Sequence, residues 1–353
     1  MPYCIRLKVN KSESERTGFF VKILVTGGAG YIGGTVAGLL VEKGHQAVVF
    51  DNLSHGRRDL LPAGVEFVEG ELSDRAAIEN LFISAKNSGH PFDGVLHFAA
   101  LIEAGESMIH PEHFFRNNTA CTLSLLEAIL AHGPRRLVFS STAAVYGEPK
   151  SVPIQEDAQL LPTNAYGESK LLVEHMLTWL NRIHGLRYAA LRYFNVAGAP
   201  EGPDGVTRGE AHTPESHLVP LVLDVALGRR KSIKIFGEDY PTPDGTCLRD
   251  YIHVSDLADA HLLALDALET HDRLIYNLGN GQGFSVREVI DSARRVTGHP
   301  IPAEVCPRRA GDPAVLVASS EKAIRELGWK PRYTQLDEII RTAWIWHQKR
   351  YAC

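Results

Sequence analysis

VTGGAGYIGG, residues 25–34, sets glycines at positions 27, 30 and 33 between an apolar, β-branched run and a segment of helical period. Glycines in such a turn let it close, let backbone N–H groups approach a pyrophosphate and aim a helix N-terminus at the negative charge. The spacing is GxxGxxG rather than GxGxxG, so the stretch alone fits a structural turn as well as a ligand site. Its place between a strand and a helix favours a dinucleotide-binding turn formed by Gly27, Gly30 and Gly33.

An acidic residue follows at the end of the second predicted strand. The run VVFDN (48–52) contains Asp51, which lies 18 residues beyond Gly33. A carboxylate at this place accepts hydrogen bonds from the ribose hydroxyls of a dinucleotide and repels a 2′-phosphate. The position therefore favours NAD over NADP, with a simple strand-end cap as the alternative role of Asp51.

Short apolar strands continue to alternate with longer helical segments down the chain. Strand-like runs recur as GVEFVEGE, FDGVLHFAA, PRRLVFSS and RYAALRYFN, the last of which spans residues 187–195. Near-continuous apolar strands are typical of a parallel sheet that helices bury on both faces. The pattern therefore predicts an α/β fold with a Rossmann-type doubly wound parallel sheet.

A change of composition after this sheet predicts a second, smaller domain. Residues 196–216, VAGAPEGPDGVTRGEAHTPES, are rich in Gly and Pro and are typical of a long loop. We expect a disordered leader over residues 1–18, an NAD-binding Rossmann domain over 19–195, and a smaller C-terminal α/β substrate lobe mainly within 196–350, with some segments returning to the large domain.

Composition indicates a globular protein that acts on small molecules. The chain has 353 residues, of which 44% are hydrophobic, and a formal net charge of −5. It lacks the basic surplus that attracts nucleic acid or an anionic membrane. No apolar run reaches the roughly 18 residues of a membrane-spanning helix. Five scattered cysteines without a CxxC pair argue against a disulfide framework and favour a reducing, cytoplasmic location.

The sixteen histidines raise the question of a metal site. His110 and His113 are the most suggestive pair, but no cluster combines histidines with Cys or carboxylates at ligand spacing. We therefore expect solvated histidines and no bound metal.

The segment YGESK (166–170) sets Tyr166 and Lys170 four residues apart at the start of a predicted helix, so both side chains point to one face. An ammonium beside a phenol stabilises the phenolate and lowers its pKa from a normal value of about 10. Such a pair suits proton transfer with a substrate hydroxyl, although the same five residues alone are most often an ordinary surface pair. Their position 24 residues after Thr142, downstream of a dinucleotide turn, favours the catalytic interpretation.

These motifs together resemble the extended short-chain dehydrogenase/reductase family, in its branch of nucleotide-sugar epimerases. The resemblance covers about residues 20–348 and is carried by VTGGAGYIG, HFAA, FSSTAAVYGE, NAYGESK, LRYFNVAGA, GTCLRDYIHVSDLADAH, YNLGNGQGFSV and RRAGD. Many nucleotide-sugar enzymes share the first and third of these segments. LRYFN together with DGTCLRDYIHV is more typical of the 4-epimerases.

The resemblance implies an isomerase that interconverts UDP-glucose and UDP-galactose with tightly bound NAD. Tyr166 would remove the proton of the sugar 4-hydroxyl while C4 gives a hydride to the nicotinamide. The 4-keto sugar would then turn over in the site and take the hydride back on its opposite face. Thr142 would share a hydrogen bond with the 4-oxygen and Tyr166, and Lys170 would hold the nicotinamide ribose and tune the tyrosine.

The resemblance also implies two sets of binding residues. Besides Tyr166 and Lys170, those expected at the cofactor are Gly27, Gly30, Tyr31, Ile32 and Gly33 at the pyrophosphate, Asp51 and Asn52 at the adenosine ribose, Glu71 and Leu72 at the adenine, and Phe98, Ala99, Ala100, Asn117, Ser140 and Tyr193 along the rest. Besides Thr142 and Tyr166, those expected at the UDP-sugar are Asn195, the backbone around His217 and Leu218, Arg249, Arg309, Asp312 and Leu316. Arginine suits a diphosphate because its planar fork bonds two oxygens at once. Ordinary salt bridges to Asp250 and Asp312 are the alternative role of the two arginines.

The chain departs from the family pattern at several positions. Thr142 stands where serine is common, and its hydroxyl can serve the same role with a stiffer χ1. Glu71 is one methylene longer than the usual aspartate, Ile102 removes a lysine near the cofactor, and Val196 replaces a proline. Leu316 stands where the family sets the room around the sugar 2-substituent. Its size favours UDP-glucose and UDP-galactose, and turnover of UDP-GlcNAc stays open.

The same fold carries other activities, which the sequence distinguishes in part. A UDP-pentose 4-epimerase acts on a sugar that lacks only C6, and nothing in the sequence excludes it. A 4,6-dehydratase places Asp and Glu directly after the threonine, where this chain has Ala143 and Ala144. The glutamate typical of a UDP-glucuronate decarboxylase is missing too. A non-catalytic NAD-binding sensor typically loses the Tyr or the Lys, and this chain keeps both.

A homodimer is implied by the same resemblance. The segments NNTACTLSLLEAILAHG and SKLLVEHMLTWLNRIHG are apolar on more than one side, which is more than a helix with one buried face needs. Paired across a subunit interface, they would form a four-helix bundle. The alternative is that both are fully buried within one chain.

Overall fold

The computed structural model describes residues 21–202, 205–206, 208–309 and 312–351. The predicted leader over residues 1–18 and the start of the predicted first domain lie outside the described residues. Among the helices that are described, none is long and apolar enough to cross a membrane.

Strands and helices alternate through the described part of the chain. The strands are β1 (Lys22–Thr26), β2 (Gln46–Asp51), β3 (Glu66–Glu69), β4 (Gly94–His97), β5 (Arg136–Thr142), β6 (Arg187–Tyr193), β7 (Asn195–Ala197), β8 (Glu201–Gly202), β9 (Gly205–Val206), β10 (Ile233–Phe236), β11 (Leu248–His253), β12 (Arg273–Leu278), β13 (Gly283–Ser285), β14 (Ala303–Cys306) and β15 (Val315–Leu316). The α-helices are α1 (Tyr31–Glu42), α2 (Arg75–Asn87), α3 (Ala104–Ser107), α4 (Pro111–Phe114), α5 (Cys121–His132), α6 (Ala165–His184), α7 (Leu218–Ala226), α8 (Val254–Ala267), α9 (Val286–Thr297), α10 (Glu321–Leu327) and α11 (Leu336–Tyr351). Short 3-10 helices span Arg58–Leu60 and Ala143–Tyr146, and a π-helical turn spans Phe115–Ala120.

The large sheet is parallel throughout, with the strand order β12-β6-β5-β4-β1-β2-β3. The chain starts at β1, moves outwards through β2 and β3, and then crosses to β4 on the other side of β1. The topological switch point therefore lies between β1 and β4, and ligands of open parallel sheets bind at the carboxyl ends of the strands beside such a point. The predicted Rossmann-type doubly wound sheet is confirmed.

Helices cover both faces of this sheet because its strands are apolar on both faces. One core cluster packs α1 and α8 against the first face through residues such as Leu40 and Leu257. A second cluster packs α2, α5 and α6 against the other face through Phe82, Leu125 and Leu177. The carboxyl edge of the sheet is thus left as the place where a ligand can enter.

A second lobe has its own apolar core, which is built mainly from α7, α9 and α11. The parallel pair β10–β14 and the small sheet of β13, β11, β15 and β7 accompany these helices. Between them the chain returns to the large sheet, because β12 pairs with β6 and α8 packs on α1. The second lobe and the large sheet are therefore interleaved in sequence.

The predicted long loop over residues 196–216 contains short strands. β7 pairs in parallel with β11, with Asn195 opposite Tyr251, and β8 pairs with β9 as a hairpin. Gly-rich and Pro-rich composition predicts irregular structure because both residues are depleted in strands. The pairing of β7 with a strand some 50 residues away depends on the tertiary fold, which composition does not report.

A buried ion pair fixes α6 against the ends of β5 and β6. Arg192 of β6 donates two hydrogen bonds to Glu174 of α6, at 3.0 and 2.6 Å. Ser141 of β5 donates to the same carboxylate at 2.6 Å, and Arg192 also donates to the hydroxyl of Tyr146 at 2.9 Å. The two charged side chains are only 3% and 5% exposed. The network therefore holds the helix that carries YGESK against the strand that ends in Thr142.

We expect Glu174→Ala to lower the free energy of unfolding by about 3–5 kcal/mol, because it leaves the guanidinium of Arg192 buried without a counter-ion. The matched control is Asp291→Ala, which breaks an exposed ion pair with Arg294 on α9 and should cost less than about 1 kcal/mol. Urea unfolding followed by circular dichroism measures both. Equal losses in the two variants would contradict the role given to the buried pair.

Candidate active site

The turn between β1 and α1 requires glycine at its two tightest points. Gly27 has a left-handed backbone with φ of +72°, and a Cβ there would lie 2.4 Å from the backbone N of Ala99. A Cβ on Gly33 would lie 2.5 Å from the carbonyl oxygen of Gly27. α1 begins at Tyr31 after Gly30, which provides no side-chain cap. Backbone N–H groups of the first helical turn can therefore serve a pyrophosphate.

Two helical residues beside the turn connect it to the rest of the fold. The hydroxyl of Tyr31 donates to the carbonyl oxygen of Gly198 at 2.6 Å, which joins the turn to the segment that leads into the second lobe. The side chain of Ile32 packs against the core cluster under α1 and α8. Both residues thus offer a ligand their backbone rather than their side chains.

Asp51 occupies the last position of β2, against the glycine-rich turn. Its carboxylate accepts hydrogen bonds from the backbone N of Ala29 at 3.0 Å and of Leu53 at 2.8 Å. Burial raises the pKa of Asp51, and these two hydrogen bonds offset the rise only in part. The side chain therefore caps the strand end, as its alternative role requires, and a contact with a ribose stays a prediction.

The other residues predicted at the adenosine end follow β2, β3 and β4. Asn52 donates to Glu71 at 2.8 Å on the surface. Leu72 packs against the core cluster under α2 and α5. The residues predicted along the next part of the cofactor form one half-buried run, Phe98, Ala99 and Ala100.

The structure brings two hydroxyls together where β5 ends and α6 begins. Thr142 is the last residue of β5 and Tyr166 lies in the first turn of α6, so their side chains are close enough to interact. Burial raises the pKa of Tyr166 to about 12, the hydroxyl of Thr142 lowers it in part, and the charge of Glu103 adds to the rise. Phe114 packs edge-on against the phenol ring, with 6.5 Å between the ring centroids.

Lys170 lies behind this pair but does not produce the pKa effect expected from the sequence. Its Nζ donates to the carbonyl oxygen of Ser140 at 2.9 Å and lies 5.0 Å from the centroid of the Phe139 ring. Burial lowers the pKa of Lys170 to about 7. The expected lowering of the Tyr166 pKa is not observed, because loss of solvent dominates the pKa of both groups.

Tyr193, at the end of β6, completes a cluster of hydroxyls with Ser140. The hydroxyl of Tyr193 makes a short contact with Oγ of Ser140. Burial raises the pKa of Tyr193, and the charge of ionised Tyr166 raises it further. The two phenols therefore lie close enough to influence one another.

A π-helical turn positions Asn117 beside α6. Its Nδ2 donates to Oδ1 of Asn118 at 2.9 Å. Asn118 is buried and donates to the carbonyl oxygen of Leu101 and to Oγ of Ser169. Sequence reasoning missed Asn118, because the π-helical turn that places it is visible only in the structure. Such turns are frequent at functional sites.

Sequence reasoning also missed Glu174, which anchors α6 to β5 and β6 through Ser141 and Arg192. The signal was present, because Tyr166, Lys170 and Glu174 recur every four residues and so share one face of α6. Its partner Arg192 lies on a different element, so the pair could not be recognised from spacing.

The side chains predicted at the diphosphate converge on Asp312. Arg249 of β11 lies 3.8 Å from one carboxylate oxygen, and Arg309 donates to the other at 2.9 Å. Asp250 instead accepts hydrogen bonds from three backbone N–H groups. The alternative of ordinary salt bridges therefore holds for Asp312 and not for Asp250.

The remaining predicted substrate residues lie on neighbouring elements. Leu316 of β15 is in register with Arg249 of β11 and packs against the apolar cluster that includes Phe194. Asn195 begins β7. His217 and Leu218 are the N-cap and the first residue of α7.

One cluster contradicts the expectation that histidines and carboxylates do not meet. Glu210, His212, Glu215 and His217 each contribute an atom that lies within 4.8 Å of the other three. Burial opposes the charged form of His212, yet the neighbouring Glu210 and Glu215 raise its pKa to about 9. The sequence pattern that indicates this cluster, and that sequence reasoning missed, is ExHxxExH in residues 210–217.

A doubly wound sheet with a glycine-rich turn at its switch point and a group of Thr142, Tyr166 and Lys170 beside it defines the class of the protein. The model of the NAD dependent epimerase/dehydratase family matches residues 23–279. The chain belongs to this family. The matched range includes the glycine-rich turn, Thr142, Tyr166 and Lys170.

Individual relatives within this class are UDP-glucose 4-epimerases. The chain is 55% identical to the UDP-glucose 4-epimerase of Streptomyces lividans over 326 residues, which cover 92% of this chain and 96% of that protein. It is similar to a crystal structure of UDP-glucose 4-epimerase with 50% identity and a TM-score of 0.88, covering 94% of this chain and 98% of the other. The Bifidobacterium longum UDP-glucose 4-epimerase in complex with NAD⁺ and UDP is 37% identical, with a TM-score of 0.87 and coverage of 94% and 98%.

We expect Lys170→Met to remove a pH dependence of stability between pH 7 and about 10. Burial lowers the pKa of Lys170 to about 7 in the folded chain, whereas the unfolded value is about 10.4, so the unfolded state binds one more proton in this window. Stability of the native chain relative to the variant should therefore rise with pH, by an amount on the order of a few kcal/mol. Urea unfolding at four pH values measures this difference, and parallel curves for the two proteins would exclude the buried, neutral lysine.

Proposed function

We propose that this chain is a UDP-glucose 4-epimerase that interconverts UDP-glucose and UDP-galactose with bound NAD. The observation that carries the proposal is that the side chains of Thr142 and Tyr166 meet where β5 ends and α6 begins, with the buried Lys170 beside them. These groups lie at the carboxyl edge of the sheet, where ligands of this fold bind. The family and the named relatives support the same reaction.

The glycine-rich turn and Asp51 fit NAD. A Cβ at position 27 would clash with the backbone of Ala99, so glycine is needed for the turn to close and lead into α1. The first helical turn has no side-chain cap, and its free backbone N–H groups suit a pyrophosphate. Asp51 at the end of β2 suits a ribose diol and disfavours a 2′-phosphate. When bound, NAD supplies the hydride acceptor and a positively charged ring. The proposed cofactor residues are Gly27, Gly30, Tyr31, Ile32, Gly33, Asp51, Asn52, Glu71, Leu72, Phe98, Ala99, Ala100, Asn117, Ser140, Tyr166, Lys170 and Tyr193.

Tyr166 moves the proton in the proposed reaction. Its phenolic oxygen takes the proton from the sugar 4-hydroxyl when C4 is oxidised and returns it when C4 is reduced. The hydroxyl of Thr142 lies beside the phenol and favours its ionised form. A pKa of about 12 for Tyr166 means that the phenol is protonated at neutral pH, and added positive charge near it would favour the phenolate that this step requires.

The residues after Thr142 favour epimerisation over dehydration. Ala143 and Ala144 follow it in a short 3-10 helix, and Ala143 is 5% exposed. Elimination of water across C5 and C6 requires acid and base side chains near the sugar, and two methyl groups supply neither. The oxidised sugar therefore returns to a 4-hydroxyl sugar on either face.

Two arginines support a UDP-linked substrate. Arg249 and Arg309 both approach Asp312, which holds them side by side. Arg309 also lies 4.9 Å from the centroid of the Phe236 ring, so its guanidinium plane is supported by an aromatic face. A diphosphate that approaches this pair can be bound by two guanidinium groups, with Asn195 and the backbone around His217 and Leu218 as further contacts.

Leu316 favours hexoses without a large 2-substituent. It lies in register with Arg249 and packs against the apolar cluster that includes Phe194 and Ala143, the residue after Thr142. A leucine there leaves less room than a small residue would, so UDP-GlcNAc should be converted more slowly than UDP-galactose. The UDP-GlcNAc and UDP-pentose reactions are the alternatives that the activity assay below distinguishes.

We expect Tyr166→Phe to lower turnover of UDP-galactose by about 10²–10⁴-fold or more, because it removes the general base and acid. The matched control is Tyr188→Phe, which removes a buried hydroxyl that bonds to Thr178 in the core and leaves the active site untouched. Purified proteins are incubated with UDP-galactose, UDP-GlcNAc or UDP-arabinose, and NMR identifies the products. Unchanged turnover in Tyr166→Phe removes this residue from its role, and no conversion of any sugar by the native chain excludes the epimerase.

We also propose that two chains associate through α5 and α6. Three apolar side chains on these helices are exposed, with Leu123 at 42%, Trp179 at 61% and Ile183 at 68%. Trp179 and Ile183 are one turn apart on α6, so they form one apolar patch, which is exposed to water in a single chain. A second copy of the same patch can bury it in an antiparallel bundle of four helices.

We expect the double variant Trp179→Glu, Ile183→Glu to be a monomer, because it places charges in the proposed interface. Light scattering after size-exclusion chromatography should give twice the chain mass of 38.9 kDa for the native protein and the single mass for the variant. Ile324→Glu, at a site on α10 that is 46% exposed, is the control that should stay dimeric. A single 38.9 kDa species for the native chain overturns the proposed dimer.

The cytoplasm is the location that we propose for this enzyme. Cys121, Cys247 and Cys306 are free thiols, which persist in reducing compartments. Cell fractionation that places the chain in a membrane or secreted fraction would contradict this location.

A further inference from the structure

Four side chains before α7 form a compact group that the proposed epimerase reaction does not use. Glu210, His212, Glu215 and His217 lie within eight residues of sequence, and one nitrogen or oxygen of each is within 4.8 Å of the other three. We refer to these four side chains as the His–Glu cluster. The predicted substrate contact of His217 is through its backbone, which leaves its imidazole free to point into the cluster.

The atoms that face one another are Nδ1 of both histidines and the carboxylate oxygens. Oε1 of Glu210 lies 2.6 Å from Nδ1 of His217 and 3.2 Å from Nδ1 of His212. Oxygens of Glu215 lie 3.4 and 3.8 Å from the same two nitrogens. Zinc bonds of about 2.0–2.2 Å in a tetrahedron place neighbouring ligand atoms about 3.3–3.6 Å apart. The separations in the cluster lie on both sides of that value.

One ring nitrogen of each histidine in the cluster, Nδ1, lacks a hydrogen bond. Nδ1 of His212 and Nδ1 of His217 are buried and have no hydrogen-bond partner. Carboxylate oxygens lie within hydrogen-bonding distance of the two Nδ1 atoms, so it is the angle of approach that does not allow a hydrogen bond. Buried polar atoms without partners are rare in folded proteins. Two of them facing the same carboxylates indicate a site for a ligand that accepts their lone pairs.

The fold holds these side chains in place. Oε1 of Glu215 accepts hydrogen bonds from the backbone N of Ser216 at 2.8 Å and of His217 at 2.9 Å. The carbonyl oxygen of Glu210 accepts from the indole of Trp346 at 2.8 Å. The Glu210 and Glu215 side chains are only 8% and 12% exposed. In protein metal sites, hydrogen bonds from the surrounding protein to the ligating residues orient the ligands in the same way.

We propose that the His–Glu cluster binds one Zn²⁺ ion in a structural site. Two carboxylates carry a charge of −2, so one Zn²⁺ neutralises the cluster while both imidazoles stay neutral and use Nδ1 as ligand. Mixed imidazole and carboxylate ligands suit zinc, whereas calcium and magnesium take oxygen ligands. Four protein ligands leave no open position, which is typical of structural rather than catalytic zinc.

The ion would join the second lobe to the glycine-rich turn. His217 is the N-cap of α7, and His212 lies next to Tyr31, Gly30 and Arg57 around a small cavity. Tyr31 opens α1 and reaches Gly198 through its hydroxyl. Zinc at the cluster therefore ties the segment before α7 to the start of that helix, alongside the proposed pyrophosphate turn.

The test uses the full-length chain after treatment with a chelator. Calorimetric titration with ZnCl₂ should give one ion per chain, and Zn²⁺ should raise the melting temperature of the protein. Co²⁺ in the same site should give the visible absorption of a tetrahedral complex without the thiolate band that binding by Cys121, Cys247 or Cys306 would produce.

Two variants and one control locate the site. His212→Ala and Glu215→Gln should each weaken zinc binding by more than about 100-fold, because loss of even an outer contact costs about 10–100-fold. Glu215→Gln keeps the side-chain shape and an oxygen for the two backbone N–H groups, so it stays informative if His212→Ala misfolds. The control His110→Ala, His113→Ala removes an exposed, stacked histidine pair beside Glu112 and should bind zinc as the native chain does.

Each remaining outcome overturns the proposal. No stoichiometric zinc binding by the native chain means that the cluster is an ion-pair network of protonated histidines and carboxylates. Binding that both variants retain, or that the control pair abolishes, places the metal elsewhere. None of these results depends on epimerase activity, so failure of the zinc site and failure of the proposed function are distinguishable.

Discussion

The ion pair between Glu174 and Arg192 is the interaction on which the proposed active site depends. It joins a helix to two strands in a region from which water is excluded. Thr142 and Tyr166 lie on different elements, and their hydroxyls meet only while α6 keeps its position along β5. A charged pair that is costly to separate sets this position more firmly than apolar packing alone, because a shifted helix would leave both charges unpaired.

The same exclusion of water explains the protonation of Lys170 and Tyr166. At weakly alkaline pH Lys170 and Tyr166 are both mainly in their neutral forms, with pKa values of about 7 and 12. Such a site carries little charge of its own and responds strongly to any charge that enters it, because field effects are larger in a medium of low polarity. In the proposed enzyme the cofactor thus completes the electrostatics of the base as well as the chemistry of C4.

Local patterns in the sequence predicted those parts of the molecule that are local in the structure. The glycine-rich turn, the acid at the end of β2 and the pair Tyr166 and Lys170 each lie within one turn or one strand end, so spacing alone locates them. The partner of Glu174 lies across a helix and a strand, and no spacing reports it. Burial is equally invisible in a five-residue motif, so the pKa of Tyr166 was expected to fall and instead rises. The ExHxxExH segment lay inside a Gly-rich and Pro-rich region that composition describes only as irregular.

The register of β11 and β15 places Arg249 beside Leu316 on adjacent short strands. In the proposed enzyme, Arg249 would hold the diphosphate, which every proposed substrate shares, and Leu316 would face the part in which those substrates differ. Such a division makes the site evolvable, since a single codon change at position 316 can alter which sugar is accepted while the anchoring arginine and its backbone hydrogen bonds stay as they are. In the proposed enzyme, sugar preference can therefore change without passing through an intermediate sequence that binds the nucleotide more weakly.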